Sequence, residues 1–192
     1  MPKSHSRFLL SIALFFATLT SSWAGELDVD LTGLSYHIGA SSSHPAYTSA
    51  PRRLDKNGVF VFNPGVGIGY DFRKSSGQSG FSGLTKLVYF RDCDDRSFFM
   101  GGGGVRYRYM LGTHFSIDLN ALLMLSAGRD WDTDRYNYSV LPLVLLGTNY
   151  HFKNGIALGT NFTVAPRNTS FSATSGFWIL FTTLQVSVPI PL

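Results

Sequence analysis

The chain has 192 residues, 44% of them apolar, 15% aromatic and 15% charged, with 20 glycines, one cysteine and a formal net charge of +4. That length suits one domain, the lone Cys93 excludes an internal disulfide, and the absence of a Lys/Arg run excludes a surface that tracks a nucleic-acid backbone. Beyond the first two dozen residues no stretch is apolar for the roughly 18 residues of a transmembrane helix, so a helical membrane protein is excluded as well.

Residues 1–24 read as a secretory signal peptide. Lys3, His5 and Arg7 precede an apolar run at 8–19, and Ser22-Trp23-Ala24 offers small residues at both key cleavage positions, so a cut after Ala24 is expected. The run is too short for a membrane span, which takes about 20 residues. Residues 25–192 form the one expected domain.

From there apolar and aromatic residues alternate with polar residues or glycine in segments of about ten, the signature of outer-membrane barrel strands. In chain order the expected strands are 27–38, 64–73, 81–91, 98–109, 115–126, 138–152, 155–165 and 177–188. The clearest has Phe115, Ile117, Leu119, Ala121, Leu123 and Leu125 on one face, with Ser116, Asp118 and Asn120 on the other. The last repeats the pattern, with Trp178, Leu180, Leu184, Val186 and Val188 opposite Thr183, Gln185 and Ser187. The connections alternate too. Short ones at 74–80, 110–114 and 153–154 take turns with generally longer ones at 39–63, 92–97, 127–137 and 166–176.

Eight strands with short periplasmic turns and longer outer loops predict an all-β fold, an eight-stranded antiparallel transmembrane up-and-down β-barrel of the bacterial outer membrane. A soluble sandwich or lipocalin-like barrel is the rival. Aromatics near the strand ends, with Tyr109, Trp131, Tyr136 and Trp178 as belt anchors, favour lipid.

With the amino end periplasmic, His37 closes the first strand at the outer rim, and Asp92, Asp94 and Asp95 follow the third strand at the same rim. A histidine within hydrogen-bond reach of a carboxylate makes a proton-transfer pair; a solvated loop histidine is the plain alternative. Gly102 and Gly104 share a face with Arg106 and Arg108, and Gly65, Gly67 and Gly69 share one with Asp71 and Arg73. This predicts an open, uncharged slot above a polar floor, fit for an acyl chain. Relief of crowding where a narrow barrel bends is the other reading of the glycines. The histidines at 37, 44, 114 and 151 are scattered, so no metal site is expected. The four glycines at 101–104 lie within a strand and open no helix, so they are not a phosphate cradle.

The stretch "GLTKLVYFRDCDDRSFFMGGGG", with Phe90-Arg91-Asp92-Cys93 at its centre, resembles a strand-loop-strand of the outer-membrane lipid A palmitoyltransferases, the PagP family. "GRDWDTDRYNYSVLPLVLL" is similar to that family's third outer loop and following strand, with Pro142 in matching order, and Pro166 falls where the family has a proline that interrupts strand pairing. The resemblance implies a monomeric enzyme without cofactor or metal. It would move a palmitoyl chain from an outer-leaflet phospholipid to lipid A. It also implies that His37, Asp92 and Cys93 carry catalysis and that Gly104 sets the depth of the acyl slot. A non-catalytic structural or adhesive barrel, or a hydrolase such as a lipid A deacylase, are the alternatives.

Three departures bear on this. The family's serine is replaced by Cys93, whose thiol is the better nucleophile if a base lowers its pKa, although Asp94 and Asp95 oppose a thiolate. An acyl intermediate, a hydrogen bond alone and no role all stay open for it. The family's leading amphipathic helix is missing before Leu27, and the chain ends Pro189-Ile190-Pro191-Leu192 without a terminal aromatic residue.

Overall fold

The computed structural model describes residues 25–38, 52–55, 58–73, 77–91, 97–129, 136–166 and 178–190. The signal-peptide reading, Asp92 and Cys93 lie outside them, as does the belt residue Trp131, and for His37, Tyr136, Pro166 and Trp178 the backbone alone is described.

Nine antiparallel strands are present among the described residues: β1 (Gly25–Ile38), β2 (Arg52–Asp55), β3 (Gly58–Asp71), β4 (Gly80–Arg91), β5 (Ser97–Leu111), β6 (Phe115–Arg129), β7 (Tyr136–His151), β8 (Ala157–Pro166) and β9 (Trp178–Ile190). They form one sheet in the order β1-β9-β8-β7-β6-β5-β4-β3-β2, and β1 also pairs with β3, so the eight long strands close into a barrel. Tight turns join β5 to β6 and β7 to β8 at one end, where Gly112 (φ 77°) and Gly155 (φ 86°) take the left-handed conformation that a side chain disfavours. Short turns mark the periplasmic end of such barrels.

Alternation along each strand sorts the side chains. On β6, Ser116, Asp118, Asn120, Leu122, Met124 and Ser126 are buried, while Phe115, Ile117, Leu119, Leu123 and Leu125 are exposed. Exposed Val66 and Ile68 on β3, Val144 and Leu146 on β7, and Leu184 and Val188 on β9 carry the apolar band around the cylinder. Aromatic pairs edge it at both ends. Phe81 stacks near Tyr107 (4.7 Å) and Phe115 near Tyr150 (5.0 Å) by the short turns, with Tyr36 near Phe60 (4.4 Å) and Tyr89 near Phe99 (4.8 Å) at the far end. Apolar outside and polar inside is the arrangement of a protein solvated by lipid, and a closed barrel leaves no backbone edge unpaired in hydrocarbon. The water-soluble rival is thereby excluded.

Charge fills the periplasmic half of the lumen. Arg106 donates to Asp28 (2.7 Å), Asp71 (2.9 Å) and Asn120 (2.7 Å), and Arg108 donates to Glu26 (2.8 Å) and Asp118 (2.9 Å). Lys86 pairs with Asp30 at 2.9 Å. Ser187 donates to Asp28 and Gln185 to Ser187, while Asn161 donates to Gln185. Ser116 bonds both Asp118 and the ring of His151. Together these contacts reach every long strand, tying together walls that the backbone ladder joins only to their immediate neighbours.

Two features correct the sequence expectation. The strand expected at 64–73 begins at Gly58, because the chain passes through Pro64 at a bulge instead of starting there. Proline cannot donate to a ladder, which made it read as a strand start. The region 39–63, expected as one loop, contains β2, which pairs with β3 from Arg52–Val61 to Asp55–Gly58. Since β4 meets β3 only from Gly65 to Asp71, β2 occupies the edge of β3 above it.

Candidate functional site

The outer end of the barrel is where the strands bearing the chemistry candidates finish. β1 ends at Ile38, one residue past His37, and β4 ends at Arg91, one residue before Asp92; both strands run toward this end. Below it β1 carries a bulge: Thr32 faces Gly65 and Leu34 faces Phe62, while on the other side Thr32 faces Thr183 and Leu34 faces Thr182. The bulge inverts the strand's alternation. Glu26, Asp28, Asp30 and Thr32 are buried below it, and above it Leu34 is exposed and Ser35 is buried. His37 is the next odd position in the shifted register, opposite Val59 and Ile179.

Asn63, fully buried, sits at this break. Its Nδ2 donates to the Arg91 carbonyl at 3.0 Å, its Oδ1 accepts from the Ser35 hydroxyl, and its own carbonyl accepts from Thr32 Oγ1 at 3.0 Å. Nothing in the sequence pattern singled this residue out; only its place just before a proline in a strand could have.

Between this rim and the charged floor an apolar cluster lies beside the Lys86–Asp30 pair. Leu84, Leu122, Met124 and Leu145 form a buried cluster, with Met100 and Leu143 packed against it. Above, Phe90 lies 5.0 Å from Phe98 and reaches across the lumen to Phe181 of β9 at 5.5 Å. The slot was expected to be open and uncharged; instead these side chains fill it, and the buried Lys86–Asp30 pair reaches the level of Gly102. The glycine rows belong to β3 and β5, and most of the filling comes from other strands, β4, β6, β7 and β9, with Phe98 and Met100 of β5 itself.

Gly104 lies between Leu84 and Leu122 in the cross-strand row, and Gly102 between Lys86 and Met124. A Cβ at Gly104 would collide with the Ala121 carbonyl oxygen, and one at Gly102 with that of Leu123. Both glycines therefore permit the close approach of β5 to β6. Gly104→Val is expected to cut refolding yield sharply, read as loss of the heat-modifiable folded band on an unboiled gel, whereas Gly112→Asn in the turn is expected to fold.

Among the described residues the wall is incomplete between β7 and β8. β7 pairs with β8 only from Leu145–Thr163 to His151–Ala157. Yet β7 stays paired with β6 up to Tyr136, and β8 with β9 up to Pro166. Residues 136–144 and 164–166 thus face a seam with no ladder across it. Pro142 lies in the unpaired part of β7 and Pro166 ends β8, and neither has an N–H to offer a neighbouring strand. Thr163 Oγ1 donates to the Val144 carbonyl (2.7 Å), closing off the last pair. Behind the seam Leu143 joins the luminal apolar cluster.

At the opposite end His114 and His151, far apart in sequence, are neighbours, with His114 Nδ1 3.0 Å from the His151 carbonyl oxygen. No group of three His, Cys, Asp or Glu side chains is placed to hold a metal ion among the described residues.

No protein-family profile matches the chain, and no curated protein does. Among solved structures it is similar to Neisserial surface protein A (NspA), at 14% identity and a TM-score of 0.53 over 85% of this chain and 96% of that one. It also resembles Ail, the attachment invasion locus protein of Yersinia pestis (10% identity, TM-score 0.45, 86% and 99% covered), and the N-terminal β-barrel domain of Pseudomonas aeruginosa OprF (9%, 0.43, 87% and 100%). At such identity the likeness speaks to fold alone. The likeness to NspA in fold, together with the lipid-facing band and the ion-paired lumen, makes this chain a small eight-stranded β-barrel of the bacterial outer-membrane type.

Proposed function

We propose that the barrel transfers an acyl chain between lipids of the outer leaflet, from a phospholipid donor to lipid A, acting as a monomer without cofactor. The observation that supports this reading is the unladdered seam between β7 and β8, flanked by Pro142 and Pro166, with the apolar luminal cluster behind it. An acyl chain entering there would lie over Gly102 and Gly104 and end above Arg106. Leucine and methionine side chains would shift to admit it, methionine being the most adaptable of core residues.

In the chemistry proposed, His37 takes the proton of the acceptor hydroxyl while that oxygen attacks the donor ester carbonyl, and Asp92 orients and charges the imidazole. The tetrahedral intermediate collapses with a new ester formed and the old C–O bond broken. The departing lysophospholipid oxygen takes the proton back from the imidazolium. Cys93 is the polar group beside the reacting ester.

The test is expression in a bacterium lacking its own palmitoyltransferase, followed by mass spectrometry of lipid A. One added acyl chain is expected with the wild-type chain and none with His37→Ala at equal barrel content. An unchanged mass with the barrel folded would overturn the reading, and a lighter lipid A would indicate a deacylase.

A second reading, a non-catalytic structural or adhesive barrel, is favoured by the filled lumen, where Phe90 meets Phe181 and the Leu/Met cluster occupies the chamber. It predicts that His37→Ala changes no phenotype.

A further inference from the structure

We infer that Asn63 is a positioning residue that sets the separation of the two chain segments bearing His37 and Asp92. At its level the backbone does so only in part: β1 is paired with β3 again from Leu34–Phe62 upward, but β4 is not. The β1–β3 ladder is interrupted between Thr32 and Leu34, and the β3–β4 ladder stops at Gly65–Phe90, because Pro64 has no N–H and Gly33 is an extra residue against β9. The Asn63 side chain spans that break. One amide joins β1 at Ser35, two residues before His37, to β4 at Arg91, one residue before Asp92.

The chemistry of the contacts fixes the amide's orientation and makes asparagine the residue required. The Arg91 carbonyl only accepts, so it must face the NH2 group; the remaining amide oxygen then takes the Ser35 hydroxyl proton. An aspartate there keeps the bond from the Ser35 hydroxyl and sets a second acceptor against the Arg91 carbonyl. Alanine loses both. Burial excludes water as a substitute partner, since Asn63 and Ser35 are 0% and 1% exposed.

The role in catalysis rests on the proposed acyl transfer, but the positioning itself is measurable without it. Leu34 and Arg91, both exposed, are replaced by cysteine in a Cys93→Ser chain, which leaves the Arg91 carbonyl in place, and nitroxides are attached to the two new thiols. Pulsed electron paramagnetic resonance in lipid nanodiscs is expected to give one narrow distance distribution. Asn63→Ala, Asn63→Asp and Ser35→Ala should each broaden it, with Ser35→Ala, the mildest change, securing the result should an Asn63 variant fail to fold. A distribution already broad in the parent, or the same width in the variants, would overturn the inference. In parallel, unlabelled Asn63→Asp is expected to lower kcat for lipid A acylation about a hundredfold with KM little changed, the scale of a small misplacement of reacting groups. Broadening without any acylation by the wild-type chain would leave the positioning role standing and reject the acyl-transfer reading alone.

Discussion

Arg106→Ala is expected to cost about 3–5 kcal/mol of stability, the scale of removing one partner from a buried ion pair. The guanidinium is 1% exposed and holds Asp28 and Asp71 together from two different strands. Without it both carboxylates stay in the lumen with a partner lost, and the chain of bonds running from Asn161 through Gln185 and Ser187 to Asp28 loses its anchor. Urea titration of the refolded barrel, followed by tryptophan fluorescence, measures the loss. Lys153→Ala in the exposed β7–β8 turn should move the midpoint by less than about 0.5 kcal/mol, as surface changes do. Equal effects of the two substitutions would show that the network is no staple.

The second large effect is expected on the outer surface. Leu123 lies midway along β6, is 59% exposed and faces the hydrocarbon in this fold. Leu123→Arg should destabilise by about 2–4 kcal/mol, whereas arginine at the strand's start, Phe115→Arg, should cost about 0–1 kcal/mol, because the penalty depends on depth in the bilayer. The same titration in lipid vesicles gives both numbers. Identical costs at the two positions would refute the placement of the lipid band.

Most of this architecture was legible because a β-strand between lipid and a polar lumen must alternate. The expected strand at 115–126 is observed as Phe115–Arg129, and that at 27–38 as Gly25–Ile38. Where both sides are apolar the signal fades: residues 121–125 of β6 are apolar on both faces, so Leu122 and Met124 did not announce themselves as luminal. Reading glycines on β3 and β5 as an opening ignored what β4, β6 and β7 would send into it. The inward parity of Arg106 and Arg108 was readable from their own strand, but their partners were not. Asp28 and Glu26 reach them from residues some eighty positions away, through the stagger of a closed sheet, which no single strand encodes. Asn63 was hidden for a third reason, since proline broke the pattern that would have placed it.

The closing of the cylinder carries its own demand. Gly25 pairs with Ile190, so the first strand receives one of its two neighbours only when the last segment of the chain has arrived. Until then two raw strand edges stand open, and contacts so distant along the chain form slowly. Closure of the cylinder must therefore wait for the whole polypeptide, and until it happens those edges stand open to pairing with another copy.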